Sequence, residues 1–189
     1  MLPEILLQAN KNWTLFLDRD GVVNLEKEND YIRMPSEFFF LDHVPEAMAI
    51  FARLFGEIFI VTNQKGVAKG LMTEEDLQDI HRYMLKSVQQ AGGRISKVYY
   101  CTAADDNHPN RKPQTGMAFQ AKADYPEIDF STSIMVGNTL SDMAFGRAAG
   151  MYTVFIQSSK PMPELPHPAI DAVFPSLYLL AKALQKPTR

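Results

Sequence analysis

The stretch Asp18-Arg19-Asp20-Gly21-Val22-Val23-Asn24 sets two carboxylates directly behind the apolar run Thr14-Leu15-Phe16-Leu17. Side chains alternate along an extended segment, so Asp18 and Asp20 point to the same side, and Gly21 lets the backbone turn sharply beyond them. At an effective dielectric of about 20, two like charges roughly 4 Å apart repel by about 4 kcal/mol. Either a proton is shared between them or a cation sits there. A carboxylate can attack as a covalent nucleophile, and a second one can pass protons to and from the reacting oxygens. Asp18 is the candidate nucleophile and Asp20 the candidate general acid and base.

Three later segments carry complementary chemistry. Thr62-Asn63-Gln64, ahead of a turn containing Gly66 and Gly70, supplies neutral donors for an anion such as phosphate. Lys112 adds a compact positive charge, and Arg111 a planar fork for oxygens farther out on a substrate. The same two residues could form a solvated surface pair, although their place before Pro113 and a helix favours function. Gly137-Asn138-Thr139 and Asp142 bring further oxygens. With Asp18 and Asp20, either Asn138 or Asp142 would complete a hard oxygen site suited to Mg²⁺. His43, His81, His108 and His167 lack the paired spacing of a metal site and read as surface or loop residues without a role.

These segments need a scaffold that brings their ends together. Short β-branched or aromatic runs, Thr14–Leu17, Ile58–Val61, Val98–Cys101, Ile134–Val136 and Tyr152–Ile156, read as buried parallel strands. Amphipathic stretches separate them: Pro45–Phe55, Thr73–Gln90 with a capping box between Thr73 and Asp76, Gly116–Ala123, and Leu140–Ala149 closed by Gly150. A strand at Ala172–Phe174 and a helix over Pro175–Leu184 follow a Pro-rich loop from Gln157 to Ala169. The alternation predicts an α/β fold, in which ligands sit beyond the carboxyl ends of the strands, where the four polar segments fall. Met135 and Met143 read as core, as do at least two of Phe38, Phe39 and Phe40, while Tyr31 and this Phe run could also line a substrate entrance.

Composition narrows the field. A chain of 189 residues with 46% hydrophobic content suits one domain over residues 1–189. A net charge of −3 with scattered Lys and Arg argues against nucleic acid as a partner. The single Cys101 excludes an intrachain disulfide, no run approaches a membrane span, and the first residues lack the basic region of a signal peptide. The expectation is a cytoplasmic protein, favoured as a monomer, that acts on a small molecule and touches neither membrane nor nucleic acid.

The chain resembles the haloacid dehalogenase superfamily of phosphohydrolases through Asp18-Arg19-Asp20-Gly21-Val22, Thr62, Lys112 and the segment from Gly137-Asn138 to Asp142. Within it, Phe16–Asn24, Thr62–Gly70 and Arg111-Lys112-Pro113 are similar to the D-glycero-D-manno-heptose bisphosphate phosphatases and the related histidinol phosphatases. The likeness covers residues 14–156. It implies a Rossmann-like parallel sheet with helices on both faces and only loop insertions as cap. It also implies Mg²⁺-dependent hydrolysis of a phosphate monoester through an aspartyl-phosphate, with heptose 1,7-bisphosphate of surface polysaccharide assembly as the leading substrate. Histidinol phosphate hydrolysis, or a catalytically weak relative that binds a phosphorylated ligand, are the alternatives. The implied roles are Asp18 as nucleophile, Asp20 as acid and base, Thr62 and Lys112 as phosphate ligands, and Arg111 as a substrate contact. Two departures stand out. Asn138 replaces the usual Asp of the fourth motif, which removes one negative charge and predicts weaker metal affinity. The loop before Arg111 holds only Cys101 and His108 of the family's zinc knuckle, too few for a closed site, so no zinc is expected.

Overall fold

Six apolar runs assemble into one sheet in the computed structural model, which describes residues 3–185. The strands are β1 (Thr14–Leu17), β2 (Glu57–Asn63), β3 (Lys97–Cys101), β4 (Ser133–Gly137), β5 (Tyr152–Ile156) and β6 (Ala172–Phe174), ordered β3-β2-β1-β4-β5-β6. Every neighbouring pair is parallel. β2 runs longer than its apolar segment suggests, because Thr62 and Asn63 continue the ladder against Tyr100 and Cys101. Thr62 is therefore held by strand pairing rather than by a loop.

Five α-helices among the described residues cover the sheet: α1 (Val44–Leu54), α2 (Glu74–Gln90), α3 (Gly116–Asp124), α4 (Leu140–Ala149) and α5 (Leu177–Leu184). Strand alternation divides the core in two. Leu15, Leu17, Ile58, Ile60 and Val136 join residues of α1, α2 and α5, such as Phe51, Ile80 and Leu180. Phe16, Phe59, Val61 and Met135 join Met117 and Ala118 of α3 and Phe145 of α4. The expected doubly covered parallel sheet is thus present. Thr73 and Asp76 form the anticipated capping box on α2, and Thr139 with Asp142 forms another on α4. Met135, Met143 and Phe38 are buried and Phe40 packs against the core, whereas Phe39 is exposed. Among the described residues, no helix is long and apolar enough to cross a membrane.

The strand order fixes where chemistry can occur. β1 lies between β2 and β4, and the chain turns to one side of β1 first and to the other later. The crevice at such a switch point opens at the carboxyl end of β1, where Asp18 begins.

Candidate active site

All nine residues expected to act, Asp18, Asp20, Thr62, Asn63, Gln64, Arg111, Lys112, Asn138 and Asp142, line one cavity of about 440 Å³. They arrive from the ends of four strands. Lys112 is the hub: its Nζ donates to Asp18 Oδ1 at 2.7 Å and to the carbonyl of Val61 at 2.7 Å, and pairs with Asp142 Oδ1 at 2.6 Å. Burial disfavours the charge on Lys112, but Asp142 and Asp18 outweigh it and hold the ammonium above the usual lysine range. Burial pushes the Asp18 carboxyl from 3.8 up to about 7, against the attraction of Lys112 and helped by the charge of Asp142.

Asp20 has a different shell. Arg19 donates from Nε and NH2 to its carboxylate, with the NH2 contacts at 3.0 Å; Asn24 Nδ2 donates to Oδ1 at 2.9 Å, and Gln64 Nε2 to Oδ2 at 2.8 Å. Burial alone would raise Asp20, yet the Arg19 charge and these donors overcome it and hold the carboxyl below its ordinary value. Gly21, with φ of +81°, makes the turn possible, and a Cβ there would overlap the Asn138 amide.

Two expected phosphate contacts have other duties. Asn63 accepts from the Lys112 amide at 3.0 Å and donates to the Lys112 carbonyl at 3.1 Å, so both ends of its amide hold the lysine's backbone at the cavity wall. Gln64 Nε2 donates to Thr62 Oγ1 as well as to Asp20, which leaves the Thr62 hydroxyl hydrogen free for a ligand. Arg111 Nε donates to Asp106 at 3.0 Å, while its buried NH1 has no partner.

The fourth segment separates Asn138 from Asp142. Asp142 Oδ1 is paired with Lys112, and Oδ2 accepts from the amides of Asn138 and Thr139 and from the Thr139 hydroxyl. Both carboxylate oxygens are therefore occupied. A Cβ at Gly137 would overlap this carboxylate, which accounts for glycine at that position. Asn138 is different: Nδ2 donates to Ser158 Oγ at 3.1 Å, but Oδ1 is buried without a partner. An orphaned oxygen on the cavity that Asp18 also lines offers a hard oxygen donor of the kind that suits Mg²⁺. Among the described residues, no group of three or more His, Cys, Asp or Glu side chains is arranged to hold a metal. Cys101 Sγ and His108 Nδ1 lie 3.5 Å apart.

Several contributors escaped the sequence reading. Arg19 is only 1% exposed, and its NH1 lies 3.1 Å from Nε2 of His81, which is buried on α2 rather than at the surface. The signal was available, because His81 falls on the same stripe as Leu77, Ile80, Met84 and Val88. The start of the Pro-rich loop also reaches the site: Ser159 Oγ donates to Glu26 Oε2 at 2.5 Å, and Lys160 pairs with Glu26 at 2.6 Å.

Comparison with known proteins identifies the family and the fold. A HAD-hydrolase-like family model matches residues 109–180. The D-glycero-alpha-D-manno-heptose-1,7-bisphosphate 7-phosphatase of Campylobacter jejuni is 36% identical over 146 residues, spanning 77% of this chain and 83% of that protein. The D-glycero-beta-D-manno-heptose-1,7-bisphosphate 7-phosphatase of Escherichia coli K12 is 33% identical over 185 residues, spanning 91% of this chain and 93% of its own. The crystal structure of the D,D-heptose 1,7-bisphosphate phosphatase from B. bronchiseptica, complexed with magnesium and phosphate, superposes with a TM-score of 0.80 at 27% identity, covering 91% of this chain and 97% of that one.

Proposed function

The chain belongs to the haloacid dehalogenase-like D-glycero-D-manno-heptose-1,7-bisphosphate 7-phosphatases, and from that premise we propose that it hydrolyses one phosphate of a heptose 1,7-bisphosphate through an aspartyl-phosphate on Asp18. The observation that carries the substrate choice is the charge balance of the cavity. Each carboxylate that lines it already has a cationic partner: Asp18 and Asp142 with Lys112, Asp20 with Arg19, Glu26 with Lys160, Asp30 with Arg33, and Asp106 with Arg111 and Lys65. Arg111 NH1 is buried and unpaired. A second phosphate satisfies that nitrogen, whereas the ammonium of histidinol phosphate finds no free carboxylate.

In the reaction, the Thr62 hydroxyl donates to a phosphoryl oxygen, and the Lys112 ammonium, whose hydrogens go to Asp18, Asp142 and the Val61 carbonyl, counters the phosphoryl charge. An Asp18 carboxylate oxygen forms a bond to phosphorus as the bond from phosphorus to the sugar oxygen breaks. Asp20 hands that oxygen a proton; a phosphate monoester, with a second pKa of about 6, brings the proton in as its monoanion. Asp20 then takes a proton from water, which attacks phosphorus, releases inorganic phosphate and restores the Asp18 carboxylate. Asp18 and Asn138 Oδ1 are the side-chain oxygens available to hold Mg²⁺; Asp142 remains with Lys112 and the α4 cap. When bound, Mg²⁺ offsets the repulsion between the attacking carboxylate and the phosphate.

Release of inorganic phosphate from both anomers of heptose 1,7-bisphosphate and from histidinol phosphate tests this reading. A kcat/KM at least about 100-fold higher for the bisphosphate is expected, since one buried unpaired charge separates the two. Equal or greater turnover of histidinol phosphate contradicts it.

A further inference from the structure

We propose that His81 is a positioning residue for phosphoryl transfer: its imidazole Nε2 accepts from Arg19 NH1 and so locks the guanidinium that holds the Asp20 carboxylate at the cavity. The inference rests on the reading of Asp20 as the proton carrier. Arg19 sits beside Asp20 in the chain, and its Nε and NH2 both go to that carboxylate. A guanidinium tied only to its neighbour's carboxylate moves with it, because both ride on one turn. His81, sixty-two residues away in sequence, ties that turn to the scaffold. It lies in the middle of the longest helix, α2, on the apolar stripe that packs into the core, and its ring is 5.4 Å from Tyr100 of β3. Tyr100 is in turn fixed to the first turn of α2, its hydroxyl donating to Glu74 Oε1 at 2.9 Å. The proton carrier is thus referenced to a helix and a strand rather than to a loop, which is what a group that must meet a leaving oxygen within a fraction of an ångström requires.

The protonation state fits the role. An imidazole can accept at Nε2 only when neutral; an imidazolium has nothing but donors and would face the Arg19 charge. Burial, with Arg19 adding to it, lowers the His81 pKa to about 3, so the acceptor persists throughout the neutral range. Neither Arg19 nor His81 lines the cavity. The effect of His81 on the reaction therefore passes through Arg19 to Asp20.

His81→Phe keeps a ring against Tyr100 but removes the acceptor, while His81→Gln places an amide oxygen close to the position of Nε2. Steady-state kinetics of both, and of Asp20→Asn, are measured with heptose 1,7-bisphosphate and with 4-nitrophenyl phosphate. The nitrophenolate leaves without a proton, and kcat/KM reports the steps up to leaving-group departure. The expected result is a fall of about 10-fold in kcat on the sugar phosphate for His81→Phe with KM changed less than about 2-fold. Its kcat/KM on nitrophenyl phosphate should fall far less, and His81→Gln should restore kcat on the sugar. If His81→Phe does not fold, His81→Asn replaces it, since the shorter amide falls short of Arg19. Full kcat in the Phe or Asn variant, equal loss on both substrates, or no rescue by Gln overturns the proposal while a large loss in Asp20→Asn leaves the role of Asp20 standing. An Asp20→Asn enzyme with undiminished activity overturns both.

Discussion

Asp18 and Asp20 stand two residues apart on one cavity, and their surroundings drive them in opposite directions. Asp18 shares a single ammonium with Asp142, and burial carries its carboxyl up to about 7. Asp20 has a guanidinium of its own and amide donors from Asn24 and Gln64, which together overcome burial and keep it ionised. One site divides a single cation between two carboxylates, and the other has a cation of its own. A raised carboxyl by itself suits a proton carrier and a lowered one a nucleophile, so the division of labour proposed for the two acids rests on the family's roles and on Mg²⁺ holding Asp18 ionised when bound, not on these shifts.

The largest effect should come from breaking the pair itself. Asp18→Asn is expected to lower kcat by on the order of 10⁴-fold or more, because the attacking atom is gone. Asp20→Asn should cost about 10² to 10⁴-fold, the usual range for a lost proton carrier. Steady-state phosphate release measures both, and an Asp20 loss exceeding that of Asp18 would reverse the assignment.

The shared ammonium can be removed next. Lys112→Met leaves two buried carboxylates facing each other and should lower the unfolding free energy of the metal-free protein by about 3 to 5 kcal/mol, as read by urea denaturation. Adding Asp142→Asn to that variant should recover part of the loss. No recovery would mean that the Asp142 charge does not burden Asp18.

A gentler change tests the other shortage. Asn138→Asp supplies the negative charge that the fourth segment lacks and should lower the Mg²⁺ concentration at half-maximal thermal stabilisation by on the order of tenfold. Unchanged or weaker Mg²⁺ dependence would remove Asn138 from the cation site.

The remaining effects concern pH, and the two regions should differ in sign. The Asp18 carboxyl is raised in the folded state, so its stabilising contribution is present below about pH 3.8 and is lost as pH rises towards 7. His81 is lowered, so its contribution is present above about pH 6.5 and is lost as pH falls towards 3. In metal-free protein, Asp18→Asn should flatten the first slope and His81→Gln the second. Denaturation curves across pH 4 to 7 for each variant distinguish these outcomes, and slopes unchanged by either substitution contradict the assignments.

Much of this was legible in the chain. The apolar runs, the turn at Gly21, the Thr73 capping box and the order of the polar segments located the sheet and gathered all nine candidate residues at one cavity. What a linear reading missed was how side chains divide their hydrogen-bonding capacity. Asn63 and Asn138 are the same residue type at comparable strand ends, yet one clasps the Lys112 backbone through both amide atoms and the other leaves its oxygen unpartnered. Asp142 could serve as a ligand on spacing alone, but its place in the first turn of α4 engages one oxygen in the cap and Lys112 takes the other. His81 has no histidine at metal-site spacing, yet its phase on α2 places it on the buried stripe. The contact from Ser159 to Glu26 joins segments 133 residues apart, and no local pattern carries it.

The central claim is the split between Asp18 and Asp20, and covalent labelling tests it most directly. Asp20→Asn enzyme mixed with ³²P-labelled 4-nitrophenyl phosphate and quenched in acid should retain label on the peptide containing Asp18, because attack proceeds while hydrolysis of the phosphoenzyme is starved of its base. Asp18→Asn enzyme should retain none. Label on the Asp18→Asn protein, or its absence from Asp20→Asn protein that still releases a burst of nitrophenolate, would contradict the account.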